Sequence, residues 1–249
     1  MKKILLAAIA CSLILPAGCK REGAQQNPDE AIAKKYAKYR VAVRKEKELK
    51  TWLATLEKGE GVDLLGEVKV IVQGKELDVS RVRLADDNIG FVPTRHLADK
   101  VIIFTKESKA FIRPTLGTRV RGVIPAGTIG FVVGEKANWV QVYIGKVNGI
   151  WITTQWVNEG YVSDPQALLD ARGYETALEL SVSGNEAKRK AGKEKLTELS
   201  QGSSVIAEIA RKKLEELNNA AEQKEAPAES TQGEQAPAQT DAPGEQQGQ

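Results

Sequence analysis

Histidine occurs once in the chain, at His96, and cysteine twice, at Cys11 and Cys19. That scarcity bounds the chemistry. A thiol hydrolase needs a cysteine beside a base, and both cysteines lie in the first nineteen residues, far from the body of the chain. A Ser–His–Asp arrangement has to use His96, and no G-x-S-x-G elbow is present. Zinc sites usually recruit several His or Cys ligands, which one histidine cannot supply. Glycine-rich phosphate loops are absent. Carboxylates are plentiful, so composition alone leaves room for a glycosidase-type pair. Asp86 and Asp87, however, sit in the turn-like LADDNIG, and most other acids fall on helical faces. The expectation is a chain without catalysis, cofactor or metal. The net charge of +3 gives no reason to expect nucleic acid. Lys34–Lys35 and Lys188–Arg189–Lys190 stand among acids and read as solvated faces.

What remains is binding, and the aromatics are its candidates. In NWVQVYI, side chains alternate along a strand. Val140, Val142 and Ile144 share a face and are expected in a core. Trp139, Gln141 and Tyr143 share the other, where a large ring needs either other cover or a ligand. Trp139, Tyr143 and Trp156 are the candidate ligand-binding residues, with packing as the competing role. Trp151 is expected to pack, Arg44 and Arg113 to pair with backbone or acids, and His96 to be surface or half-buried.

The elements that must position these residues begin after an export signal. Lys2 and Lys3 precede an apolar run from Ile4 to Leu15, too short to span a bilayer comfortably. LPAGC follows, with Ala17 and Gly18 before Cys19. The stretch resembles a bacterial lipobox, although Pro16 stands where leucine is usual and Leu15 comes one place early. The resemblance implies removal of residues 1–18 and acylation of Cys19, hence a membrane partner through that lipid. The competing reading is an ordinary signal, which leaves a soluble periplasmic or secreted chain. Lys20 lacks the aspartate often linked to inner-membrane retention, which favours the outer membrane. Residues 19–38 read as a spacer with a short helix opening at Pro28 and capped by Asn27.

Two stretches of the middle overlie each other. VAVR and LEKGEGVDLL match AFIR and IPAGTIGFVV, placing Arg44 on Arg113 and Gly59 on Gly127. Further on, Val82 falls on Val142, Phe91 on Trp151 and Leu97 on Val157. The first copy carries an extra EVKVIVQGKELDV, and LADKVIIFTKES, mostly apolar and strand-like, lies between the copies and is expected to join them rigidly. β-rich units of this size suggest small barrels rather than a solenoid. The pattern V-R, apolar-x-x-G-x-x-apolar, N-W-V-x-V and G-x-W-I resembles the bacterial Src-homology-3-like domain, twice in tandem over residues 39–103 and 104–163. In eukaryotic relatives that fold reads proline-rich peptides through aromatics. Here the second copy keeps Trp139 and Trp156 but has Thr153 for the proline. The first keeps Pro93, with His96 and Val79 at the aromatic places. Neither groove is complete, which argues against a proline-peptide reader.

Residues 164–218 read as helices, starting at Asp164–Pro165 and broken near Gly184 and Gly202. In the last one, Ile206, Ile209, Ala210, Lys213, Leu214 and Leu217 form a stripe, suited to packing on the barrels or to a partner. Residues 219–249 are Pro-, Ala-, Gln-, Glu- and Gly-rich and read as a disordered tail. The expected fold is mainly β, two tandem small barrels, then an α-helical C-terminal region. The expected function is noncovalent binding of peptidoglycan or an envelope protein by a lipid-anchored chain. The alternatives are a surface protein binding host molecules and an assembly protein acting through its helices.

Overall fold

The structure is a computed structural model that describes residues 29–147 and 149–225. The signal, Cys19, the spacer before residue 29 and the tail from residue 226 lie outside the described residues. The fold is mainly β with three C-terminal helices, as expected. The chain forms two compact units. One is built from residues 41–56 and 61–97, joined by the segment up to Lys35. The other is built from residues 36–40, 57–60 and the described residues from Ala98 to Glu225.

The first sheet uses β1 (Ala33–Ala37), β2 (Val41–Arg44), β3 (Trp52–Leu56), β4 (Gly61–Val72), β5 (Lys75–Arg83), β6 (Ile89–Pro93) and β7 (Leu97–Ala98). Its order is β3-β2-β6-β5-β4-β1-β7. Val43, Val62, Val79, Val82 and Val92 alternate inward and are fully or almost fully buried. The extra stretch seen in the sequence is the far half of the β4–β5 hairpin. It closes at Gln73–Gly74, whose φ angles of 51° and 76° suit a tight hairpin turn. The helix expected over the segment from Pro28 is not formed, and β1 stands there instead. Ile32 N–H donates to the Leu64 carbonyl at 2.7 Å, and Ala37 N–H to that of Glu60 at 2.9 Å. Ladder bonds outweigh the helix propensity of Ala and Lys, which tertiary context routinely overrides.

The second unit holds β8 (Lys100–Phe104), β9 (Ser108–Phe111), β10 (Val120–Ile124), β11 (Ile129–Lys136), β12 (Trp139–Tyr143), β13 (Gly145–Val147), β14 (Ile150–Ile152), β15 (Gln155–Val157) and β16 (Tyr161–Val162). The sheet order is β10-β9-β15-β12-β11-β8-β16. Strand for strand, this is the order of the first sheet, so the internal repeat seen in the sequence extends to topology. Two registers differ. β15 takes the place of β6, and β13 and β14 pair as a separate ribbon. Phe91 pairs with Arg81 on β5, as Trp156 pairs with Gln141 on β12. Phe91 therefore matches Trp156, not Trp151, because the second copy inserts that ribbon before the strand. Arg44 pairs with Phe91 as Phe111 pairs with Trp156, so Arg44 matches Phe111 rather than Arg113.

KVIIF is a strand inside this second sheet. Ile102 and Phe104 pack with Val142, Ile144, Ile152 and Val157 on one face. Val101 and Ile103 pack with Ile129, Phe131 and the helices on the other. Burial on both faces explains an unbroken apolar run. The helices are α1 (Pro165–Ser181), α2 (Glu186–Ser200) and α3 (Val205–Glu225). Asp164 caps α1 by accepting from Ala167 N–H at 2.6 Å, and Asn185 caps α2 by accepting from Lys188 N–H at 3.1 Å. The α3 stripe is spent inside the unit, with Ile206 and Ala210 fully buried and Ile209, Leu214 and Leu217 half-buried against the same core. α3 also runs to Glu225, past the point where the tail was expected to begin.

Candidate functional site

The aromatic candidates do not form one open groove. Trp139 has only 8% of its surface exposed, because Phe111 covers it edge-on, the ring centroids 5.3 Å apart at 90°. Phe111 also lies opposite Trp156 across the β9–β15 pair. Trp156 is half-buried and neighbours Gln141, whose amide donates to the Thr154 carbonyl at 2.8 Å. Tyr143 is half-buried at the other end of β12. It stacks obliquely with Tyr39 at 6.4 Å, and Lys38 Nζ lies 5.9 Å from its ring. Burial lowers the Lys38 pKa, partly offset by Asp99. Trp139 is thus buried against Phe111, and Trp156 and Tyr143 are separate half-buried rings.

Trp151 departs from expectation. It is 58% exposed on the β13–β14 ribbon, opposite Lys146. Arg113 departs too: it is exposed, and it is the Arg113 backbone carbonyl, not the guanidinium, that is engaged, by the Thr118 hydroxyl at 3.2 Å. Arg44 reaches the Lys50 carbonyl at 3.5 Å, in keeping with the backbone pairing expected of it. His96 is half-buried and its Nε2 accepts from Arg95 Nε at 3.1 Å.

A larger feature was invisible in the sequence. Where the turns after β3, β8, β10 and β12 meet α1 and α3, a cleft of about 860 Å³ opens. Pro125, Ala126, Ile144, Leu178 and Ile209 supply apolar lining. Five lysines (58, 106, 146, 212 and 213) and four glutamates (107, 175, 179 and 216) surround it. Lys58 and Glu175 pair at 2.7 Å, and Glu175 also accepts from Ile129 N–H at 3.3 Å. Lys213 pairs with Glu216 at 2.8 Å. Among the described residues, Lys146, Glu107 and Glu179 are in no ion pair.

One wall of the cleft is set by a turn. Gly127 has φ +82°, and its N–H donates to the Phe104 carbonyl at 2.7 Å. Gly59, its match in the repeat, has φ +75° and donates likewise to Ala37 at 2.8 Å. Both turns lie against α1. A Cβ on Gly127 would stand 2.5 Å from the Tyr174 ring, which fills the space that glycine leaves. Burial, and then Glu216, pushes the Tyr174 phenol up to about 12. Among the described residues, no group of His, Cys, Asp or Glu is disposed to hold a metal, and no helix is long and apolar enough to cross a membrane.

Residues 5–227 match the family described as Lipoprotein LenA. The chain belongs to the Lipoprotein LenA family. The matched range includes Cys19 and both sheets. Membership makes this a lipoprotein, and hence a lipid-anchored envelope protein. No curated protein matches. Among solved structures, the chain is similar to NlpC2 from Trichomonas vaginalis at 9% identity and a TM-score of 0.23, over 59% of this chain and 56% of that one. It is also similar to a novel NlpC/P60 endopeptidase from Photobacterium damselae subsp. piscicida at 12% identity and a TM-score of 0.23, over 57% of this chain and 36% of that one. The LenA-family chain thus spans about half and about a third of those structures. At such scores the likeness carries no argument about fold or activity.

Proposed function

We propose that this LenA-family chain is a non-catalytic envelope lipoprotein, acylated at Cys19, that binds peptidoglycan peptide in the cleft of its helix-bearing unit. In this reading the two like-ordered sheets are diverged Src-homology-3-like barrels. The observation that carries the proposal is the cleft's mixed charge over an apolar lining. Peptidoglycan stem peptides present both amines and carboxylates. Lys146, Glu107 and Glu179 in its lining are charges with no ion-pair partner of their own among the described residues. A uniformly basic or uniformly apolar cleft would fit such a peptide worse. Acylation would raise the local concentration of the cleft at the envelope. Outer-membrane placement is part of the proposal, and protease accessibility on intact cells separates a periplasmic from an outward-facing chain.

The test is retention of the non-acylated mature chain on purified peptidoglycan, repeated with Lys146→Glu plus Glu179→Lys. These positions are exposed, so folding should persist, and circular dichroism checks it. The wild type should be retained and the charge-swapped chain released. Equal retention of both, or retention of neither, removes the cleft from consideration. The reading in which the C-terminal helices recruit a partner has less support, because the α3 stripe is occupied within its own unit.

A further inference from the structure

The β9–β10 hairpin carries one sign of charge. Between Glu107 and Glu135 the chain has no acidic residue. Over the same span Lys109, Arg113, Arg119 and Arg121 are all exposed. Among the described residues none of these four is in an ion pair, whereas nearby Lys100 and Lys106 are held by Glu135 at 2.7 Å and Glu159 at 2.9 Å. The hairpin also exposes aliphatic side chains: Leu116 at its tip is 69% exposed, and Ile112, Val120 and Val123 are exposed along its flanks.

The tip is held open by its own hydrogen bonds. Thr118 Oγ1 donates to the Arg113 carbonyl at 3.2 Å and to that of Thr115 at 2.9 Å, and Ile112 N–H donates to the Arg119 carbonyl at 3.1 Å. Leu116 is therefore presented on a braced turn. Two carboxylates, Glu107 and Glu159, line a depression of about 450 Å³ that Leu116 also lines, and Lys106 pairs with Glu159 at 2.9 Å.

Basic side chains interleaved with exposed aliphatics suit a surface that lies on an anionic bilayer. A soluble polyanion would use the cations but gain nothing from Leu116, Ile112, Val120 and Val123. Stable attachment commonly combines acyl chains with a basic patch, and this chain belongs to a lipoprotein family. We propose that the β9–β10 hairpin docks on anionic lipid, with Leu116 and Ile112 entering the headgroup region and the four basic side chains meeting lipid phosphates. This proposal does not depend on the cleft.

The test is vesicle flotation with the chain from Lys20 onward, without acyl groups. Vesicles are phosphatidylcholine alone, or phosphatidylcholine with about 30% phosphatidylglycerol to supply surface charge. The chain should float with the anionic vesicles, weakly with the neutral ones, and less at high salt. Arg113→Glu plus Arg121→Glu should weaken binding by about fivefold or more per residue. Leu116→Ser should weaken it while leaving the salt dependence intact. Lys188→Glu plus Lys190→Glu on α2 changes the net charge equally and should have little effect. All these positions are exposed, and thermal melts confirm that each variant folds. Equal binding to both vesicle types, an equal loss in the α2 variant, or binding to soluble polyphosphate but not to vesicles would overturn the proposal.

Discussion

The tryptophans divide by what covers them. Trp139 is buried under Phe111, so Trp139→Ala should cost about 3–5 kcal/mol in a denaturant melt. Trp151 has no such cover, and Trp151→Ala should stay within about 0.5 kcal/mol of wild type. A result in the opposite order would mean that the face assignments on β12 and β14 are wrong. Alternation along NWVQVYI was readable in the sequence and placed Val142 and Ile144 correctly. It could not say what lies above Trp139, because Phe111 comes from a different strand. Tyr174 gives a pH prediction. Its phenol titrates near 10 when unfolded and at about 12 when folded, so folding favours the protonated form. Stability from this group is complete below pH 10 and falls by about 2–3 kcal/mol as the pH rises to 12. Tyr174→Phe should flatten that part of the stability profile. An unchanged slope would place the ring in water.

At the scale of elements, the start of α1 was legible, because Asp164–Pro165 announces it through local cap chemistry. The same signal at Asn27–Pro28 misled, since β1 stands where its helix was expected. Strand identity was harder. AKKYA pairs as β1 although its residues favour a helix, because its pairing partners lie far away in sequence, whereas the strand-like KVIIF is a strand, its place inside the second sheet being what the sequence could not show. The repeat was visible, but its register slipped at Arg113 and at Trp151, since nothing local marks β13–β14 as an inserted ribbon or fixes the pairing of β9. The cleft was not legible at all, being assembled from four turns and two helices. α1 and α2 cross at Gly192. A Cβ there would stand 2.5 Å from Ser181 N and 2.8 Å from the Ala177 carbonyl oxygen, and backbone cannot move aside cheaply. Gly192→Ala should therefore destabilise by about 1–3 kcal/mol despite alanine's better helix propensity. A stabilised variant would show that the helices part easily.

For the whole molecule, the helices are a cover for one side of the second sheet. Ending the chain at Gln201 removes α3 and should bare Val101, Ile103, Ile129 and Phe131 in part, so that the truncated protein binds a hydrophobic dye and aggregates. A monomeric, dye-silent truncation would mean that α1 and α2 suffice. Loss of a partner on removing α3 thus says little about recruitment, since the unit itself is damaged. The shared strand order has a further consequence, in the period before either sheet is complete. A nascent chain with two sets of like-ordered strands faces a sorting problem, because each strand has a near-equivalent place in the wrong sheet. β1 and β8 occupy that equivalent place, yet they are not interchangeable. KVIIF in the place of AKKYA would leave two aliphatic faces in search of cover, and AKKYA in the place of KVIIF would bring Lys34 or Lys35 against the helices. The divergence that made the repeat hard to read also labels each strand with its destination.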